Sequence, residues 1–122
     1  VNATYDNVVK EVLDFFIMKK IECHQLGIKD VIIDPGFGFG KITQHNFELL
    51  KNLSVFAMLK APILAGLSRK STIYKTLGIT AEEALNGTTV LNTIALSNGA
   101  NILRVHDVKE ARQVVELFCA MR

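Results

Sequence analysis

Cysteine occurs only twice in the 122 residues, as Cys23 and Cys119. Each stands alone in a helical stretch, in neither a CxxC nor a metal-ligand spacing, which points to two reduced thiols in a cytoplasmic protein. No cluster of His, Cys and acidic residues is present either, so no metal site is expected within the chain. An apolar run of the ~18 residues that a membrane span needs is lacking, and no signal-peptide pattern opens the sequence. An excess of one charge is missing too. The 14 basic and 12 acidic residues leave a formal net charge of +2, with no basic run, which argues against a nucleic-acid partner. A local anion site survives this argument, because a few placed cations do not need a basic protein.

What is present suffices for a fold. Hydrophobic residues make up 49% and charged residues 21%, the balance of a globular chain with a modest core and not of a disordered one. The chain opens at Val1 with no initiator Met and enters a helical pattern within a few residues. It therefore reads as a piece of something longer, a single partial domain over 1–122.

The pattern along the chain is a helix followed by three strand–helix units, with strands beginning near Val31, Ile63 and Ile102. Val9, Val12, Leu13 and Phe16 recur at helical spacing within 5–26, and Gly27 is a natural stop. Residues 30–34 form a strand without alternation, as expected of a parallel strand buried on both faces. Thr43 is expected to cap a helix through Phe47, Leu50 and Leu53 that ends between Leu53 and Lys60. Pro62 opens the next strand, 63–66, where a missing N–H is tolerated. Ser71–Leu77 reads as a short helix. Thr80 and Glu83 form a capping box for a longer one from 81 to about 98. In that helix Ala84, Leu91 and Ala95 line one side, and Val90 and Ile94 another. A surface helix has one apolar stripe, so the second is expected to pack on another helix or subunit. A strand over 101–105 leads to a final helix, with Asp107 and Glu110 at its cap and Val114, Val115, Leu117 and Phe118 apolar.

The stretch Asp34-Pro35-Gly36-Phe37-Gly38-Phe39-Gly40-Lys41 follows the first strand, and a strand end is where α/β proteins put their sites. Two phosphate-loop motifs fail on it. The dinucleotide fingerprint needs glycine where Lys41 stands, and the P-loop needs glycine at Pro35 and Ser or Thr at Ile42. Phe37 and Phe39, lying between glycines, suit a flat ring ligand better than a nucleotide phosphate. Asp34 either caps nearby backbone N–H groups or accepts two N–H groups from a heterocycle. Ser68-Arg69-Lys70-Ser71 precedes a helix. Ser71 there is a capping serine or presents its hydroxyl to a carboxylate, while Lys70 is a solvated cation or reaches a ring ligand. Arg104 and His106 share parity with Ile102 on the last strand, an arrangement suited to clamping a diphosphate. His24 and His45 have no such company and read as surface residues. The three strand ends are expected to converge on one anionic ligand.

Taken together, Asp34-Pro-Gly-Phe-Gly-Phe-Gly-Lys41, Gly66-Leu-Ser-Arg-Lys-Ser71 and Arg104-Val-His-Asp-Val108, in this order and spacing, resemble dihydropteroate synthase, the folate-pathway family that sulfonamides inhibit. The resemblance runs through nearly all of this chain but covers only the C-terminal part of the family's length. It implies an α/β fold: about three βα units and a preceding helix from a TIM (β/α)8 barrel. It also implies condensation of a dihydropterin-methyl diphosphate with 4-aminobenzoate, releasing pyrophosphate. On that basis Asp34 and Lys70 would bind the pterin ring, Phe39 would wall the aminobenzoate pocket and Ser71 would receive its carboxylate. Arg104 and His106 would hold the diphosphate, and Gly66 belongs to the same substrate-binding set. The family's Mg2+ is expected, with its ligand outside this chain, and a homodimer is implied.

Three strands cannot close a barrel and leave two unpaired edges, so the chain by itself is expected to be inactive, with its edges or apolar helix faces covered by another chain. Two other readings remain. One is a different pterin-binding barrel, such as a methyltetrahydrofolate methyltransferase domain, against which the Ser-Arg-Lys-Ser and Arg-Val-His segments argue. The other is a non-catalytic oligomerisation fragment.

Overall fold

The computed structural model describes residues 7–37 and 42–122. Helix α1 spans Val8–Gln25. The Asn7 side chain starts it by accepting a hydrogen bond from the Lys10 N–H at 3.1 Å, which satisfies one of the unpaired donors of the first turn. Val9, Val12, Leu13 and Phe16 turn to the core, and the Phe16 ring meets Phe56 edge-on at 6.0 Å between centroids. The helix stops where Gly27 takes φ +84°, a left-handed conformation that glycine adopts without a steric penalty.

Helix α2 runs over Thr43–Lys51, with Ile42 as its cap residue and no side-chain cap bond. Thr43 therefore does not cap: it is the first residue inside the helix, one position past the extended residue that a cap must be. The α-helix ends at Lys51, and a 3₁₀ helix over Leu53–Leu59 continues to Lys60. Asn46 is buried, and its Nδ2 donates to Thr72 Oγ1 at 2.8 Å, which ties α2 to the short helix α3, Ser71–Leu77. Residues 81–83 form a single 3₁₀ turn held by the Thr80–Glu83 capping box. Helix α4 then spans Leu85–Ser97, and α5 spans Val108–Ala120. The expected helix over 81–98 is thus two pieces meeting at Ala84. Gly87 of α4 lets α3 approach, since a Cβ there would lie 2.5 Å from Ile73 Cγ2.

Two short strands, β1 (Leu64–Ala65) and β2 (Ile102–Leu103), pair in parallel, Leu64 with Ile102 and Ala65 with Leu103. Ile33 joins the other side of β1 through one parallel bridge to Ile63. The stretch 30–34 is therefore extended backbone with one bridge, not a full strand. It is not buried on both faces either, since Ile33 is buried but Ile32 is 57% exposed. The core, which includes Leu49, Leu50, Leu53, Phe56, Leu59, Ile63 and Leu67, lies between these segments and the helices. Ala84 at the junction and Ala95 of α4 are buried, while Val90 and Ile94 are 48% and 39% exposed. That second stripe is therefore only partly covered, Val90 lining a cleft with Phe47 and Leu77.

Among the described residues no helix is long and apolar enough to cross a membrane. Cys23 and Cys119 are both free thiols. His24 is exposed as expected, whereas His45 is half-buried in a cleft between α1 and α2.

Phe56 is fully buried and Met58, two residues on, is 63% exposed. Phe56→Ala is expected to cost about 3–5 kcal/mol in urea denaturation, by lost transfer energy and a cavity. Met58→Ala should stay within about 0.5 kcal/mol.

Candidate binding site at the strand ends

The three parallel segments end on the same side, so the residues that follow them, Asp34, Gly66 and Arg104, are neighbours. Arg104 Nη1 donates to Asp34 Oδ2 at 2.9 Å. The two side chains are reached from either flank of β1, so the ion pair passes over the central segment. Gly66 lies beneath it: a Cβ there would stand 2.8 Å from Arg104 Cζ. Glycine at 66 thus makes the guanidinium's position possible. The other Asp34 oxygen, Oδ1, accepts from the Gly36 N–H at 3.0 Å, in a turn where Gly36 has φ +70°. Asp34 therefore caps its own loop and carries a charge partner at once. The pair is solvent-accessible, with Arg104 at 53% and Asp34 at 36% side-chain exposure. Such a pair adds little stability and is open to a ligand.

The loops beyond β1 and β2 continue the strand register through side chains. The offset that pairs Leu64 with Ile102 recurs in Ser68 with His106 and Arg69 with Asp107, each 38 positions apart. Ser68 is buried, and its Oγ lies 2.8 Å from His106 Nδ1 and 3.2 Å from the His106 backbone N, from which it accepts. Arg69 makes a two-pronged pair with Asp107, Nε to Oδ2 at 2.9 Å and Nη2 to Oδ1 at 3.0 Å. Its Nη1 donates to the carbonyls of Ala81 and Glu82 at 2.8 and 2.9 Å. Its backbone N–H donates to Thr88 Oγ1 at 3.0 Å. One arginine thus joins the β1 loop, the 3₁₀ turn, α4 and the start of α5.

Asp107 is the cap residue of α5 by position but makes no side-chain cap bond. The expected cap fails because the fork geometry of a guanidinium takes both carboxylate oxygens. The hydrogen bonds and charge of Arg69 hold the Asp107 carboxyl below its ordinary value, and Asp107 raises the guanidinium in return.

Lys70 is the cap residue of α3, with Ser71 as the first residue of that helix. Lys70 Nζ is shielded from solvent. Both stand at the same end of the sheet as Asp34 and Arg104, without a direct bond to either. Phe37 is fully buried, so it is a core residue and not a wall for a ligand. Phe39, Gly38, Gly40 and Lys41 lie outside the described residues. In sequence alone Ser68 carries no signal, and Arg69 reads as half of a basic pair with Lys70. The signal that could have found both is the repeated offset to His106 and Asp107, which needs the register of β1 on β2 to be known. Among the described residues no group of three His, Cys, Asp or Glu could hold a metal ion.

A carboxylate, a guanidinium, a histidine and an ammonium group gathered at the C-terminal end of a parallel sheet make the arrangement of an α/β barrel's strand-end face. The chain belongs to the family of pterin binding enzymes, whose profile matches residues 1–106. Within that class it is similar to dihydropteroate synthases. It is 44% identical over 121 residues to the dihydropteroate synthase of Haemophilus influenzae, covering 98% of this chain and 44% of that protein. The crystal structure of the Yersinia pestis dihydropteroate synthase matches with a TM-score of 0.96 at 36% identity, over 99% of this chain and 51% of the other. The Xanthomonas albilineans dihydropteroate synthase in complex with 7,8-dihydropteroate matches with a TM-score of 0.95 at 37% identity, over 99% and 47%. This chain thus spans about half the length of the relatives it matches, and its fold is a partial α/β portion of a TIM (β/α)8 barrel.

The Arg69–Asp107 pair makes stability depend on pH in a defined direction. A carboxyl whose folded value is depressed contributes fully above its unfolded value and loses that contribution as pH falls through the folded one. Thermal unfolding followed from pH 6 to pH 2 should show wild type losing ground to Asp107→Asn below about pH 4. Near neutrality Asp107→Asn should be the less stable of the two.

Proposed function

We propose that this chain forms part of a dihydropteroate synthase, joining a dihydropterin-methyl diphosphate to 4-aminobenzoate with release of pyrophosphate. The observation that carries the reading is the Asp34–Arg104 pair held over Gly66 at the meeting of three strand ends, in a chain of the pterin binding family. A substrate with N–H donors at one end and phosphate oxygens at the other can take both members of that pair together. Asp34 then accepts from the pterin, and Arg104 donates to the diphosphate. Each charge keeps a partner as the ligand covers it, so the exchange avoids the cost of stranding one.

In the step itself the bond between the pterin methylene and the diphosphate oxygen breaks, and its electron pair leaves with the diphosphate. Arg104 and His106 stabilise the negative charge that develops there, and Asp34 the positive charge on the ring. The amine nitrogen of 4-aminobenzoate then forms the new bond and releases its proton. Lys70 contributes to the ring site, and Ser71 and Phe39 to the aminobenzoate site. Gly66 serves by leaving space for Arg104.

On this reading the Mg2+ of the complete enzyme would take its ligand from the part of the barrel outside this chain. No step here runs through that ion. The 122 residues constitute one partial domain that is inactive alone. The exposed Val90 and Ile94 stripe of α4 supports a homodimer, and the free thiols a cytoplasmic location.

In the barrel-length protein, Asp34→Asn is expected to lower kcat/KM by at least 100-fold, on the order of 3 kcal/mol. Calorimetry on the same variant should show weakened pteroate binding. Retained pteroate affinity would remove Asp34 from the ring site. Gly66→Ala should change the unfolding temperature little, because only the mobile end of Arg104 must give way. It should nevertheless weaken binding of inorganic diphosphate about tenfold, the worth of one charge-assisted hydrogen bond.

A further inference from the structure

We infer that Ser68 is a positioning residue for His106, fixing the imidazole as the tautomer that carries its proton on Nε2 and turns that N–H to the ligand. The inference deepens the synthase reading, since it rests on His106 facing the leaving diphosphate. Ser68 Oγ already accepts the His106 backbone N–H at 3.2 Å. Its own proton then needs an acceptor, because the serine is buried and a buried hydroxyl without a partner is costly. Among the described residues the one acceptor that the geometry offers is His106 Nδ1, at 2.8 Å. With Nδ1 accepting, a neutral imidazole must carry its proton on Nε2. The imidazole is exposed overall, so Nε2 is available as a donor.

The surroundings hold this contact in place. Ser68 and His106 lie 38 positions apart, as do Arg69 and Asp107 next to them. The two-pronged Arg69–Asp107 pair stops the loops from sliding, which leaves Ser68 Oγ opposite the ring. Ser68 touches no ligand in this account and acts only through the histidine.

The test is carried out on the barrel-length protein with uniform 15N labelling. His106→Gln assigns the His106 imidazole signals. Long-range 1H–15N spectra of the neutral wild-type protein should show His106 as a single Nε2–H tautomer. Ser68→Ala should give a mixture of tautomers, and Ser68→Thr, which keeps the hydroxyl, should restore the single form. Titration with inorganic diphosphate should show about tenfold weaker binding for Ser68→Ala than for wild type, with Ser68→Thr close to wild type.

A wild-type His106 found as the Nδ1–H tautomer would overturn the inference, and this outcome is readable even if Ser68→Ala does not fold. An unchanged tautomer in folded Ser68→Ala would overturn it as well. A single Nε2–H tautomer that Ser68→Ala releases, with no diphosphate bound by any variant, would sustain the role of Ser68 and count against the diphosphate site instead.

Discussion

The register in which β1 meets β2 is the constraint on which the rest of the site depends. Two residues on each strand form the backbone ladder, far fewer than a strand of ordinary length. Beyond them the alignment is carried by side chains: Gly66 under Arg104, Ser68 against His106 and Arg69 clamped on Asp107. Parallel strands diverge into separate loops after their last ladder bond, and here the loops stay in step. In the proposed reading this keeps Arg104 and His106, both on the β2 side, in place for a diphosphate while Gly66 and Ser68 support them from the β1 side. The two-pronged link is shielded: the Arg69 and Asp107 side chains are 24% and 22% accessible, well below the Arg104–Asp34 pair. The structural clamp is shielded, and the pair offered to ligand is open.

Much of this could be read from residue order. The apolar spacing of α1, the short helix at Ser71 and the Thr80–Glu83 capping box all follow local rules, and all three are present. So is the convergence of three strand ends, which parallel βα units enforce. What failed did so because tertiary contacts outweighed local preference. Asp107 has the residue type and position of a cap, yet a guanidinium 38 positions away binds both of its oxygens. Phe37 sits in a glycine-rich loop and looked ligand-facing, yet it is fully buried, since burying a ring is worth more than leaving it in water. Thr43 missed its cap by a single residue, which is the scale on which helix boundaries are uncertain.

The candidate site was legible in its residue types and not in its bonds. Asp34, Arg104 and His106 stand out from spacing alone. That Asp34 and Arg104 touch, or that Gly66 exists to let them, depends on which segment lies in the middle of the sheet. Ser68 and Arg69 carry no motif of their own, and their partners become visible only when the strand pairing is known. The edge at Ile32 is a similar case. Its exposure follows from which neighbour the sheet has, a question that lies outside the run of residues 30–34.

Side chains paired at a constant offset also determine where the chain tolerates a change of length. Between Gly78 and Thr80 an extra residue would alter the numerical offset and leave every partner opposite its own. Between Ala65 and Ser68, or between Leu103 and His106, the same single insertion would push one loop a step past the other. Ser68 would then face Val105 or Asp107, and Arg69 would lose its carboxylate, although every residue type was still present. Length variation is therefore expected in the connection from α3 to α4 and barred from the two six-residue stretches, 64–69 and 102–107, that lie side by side.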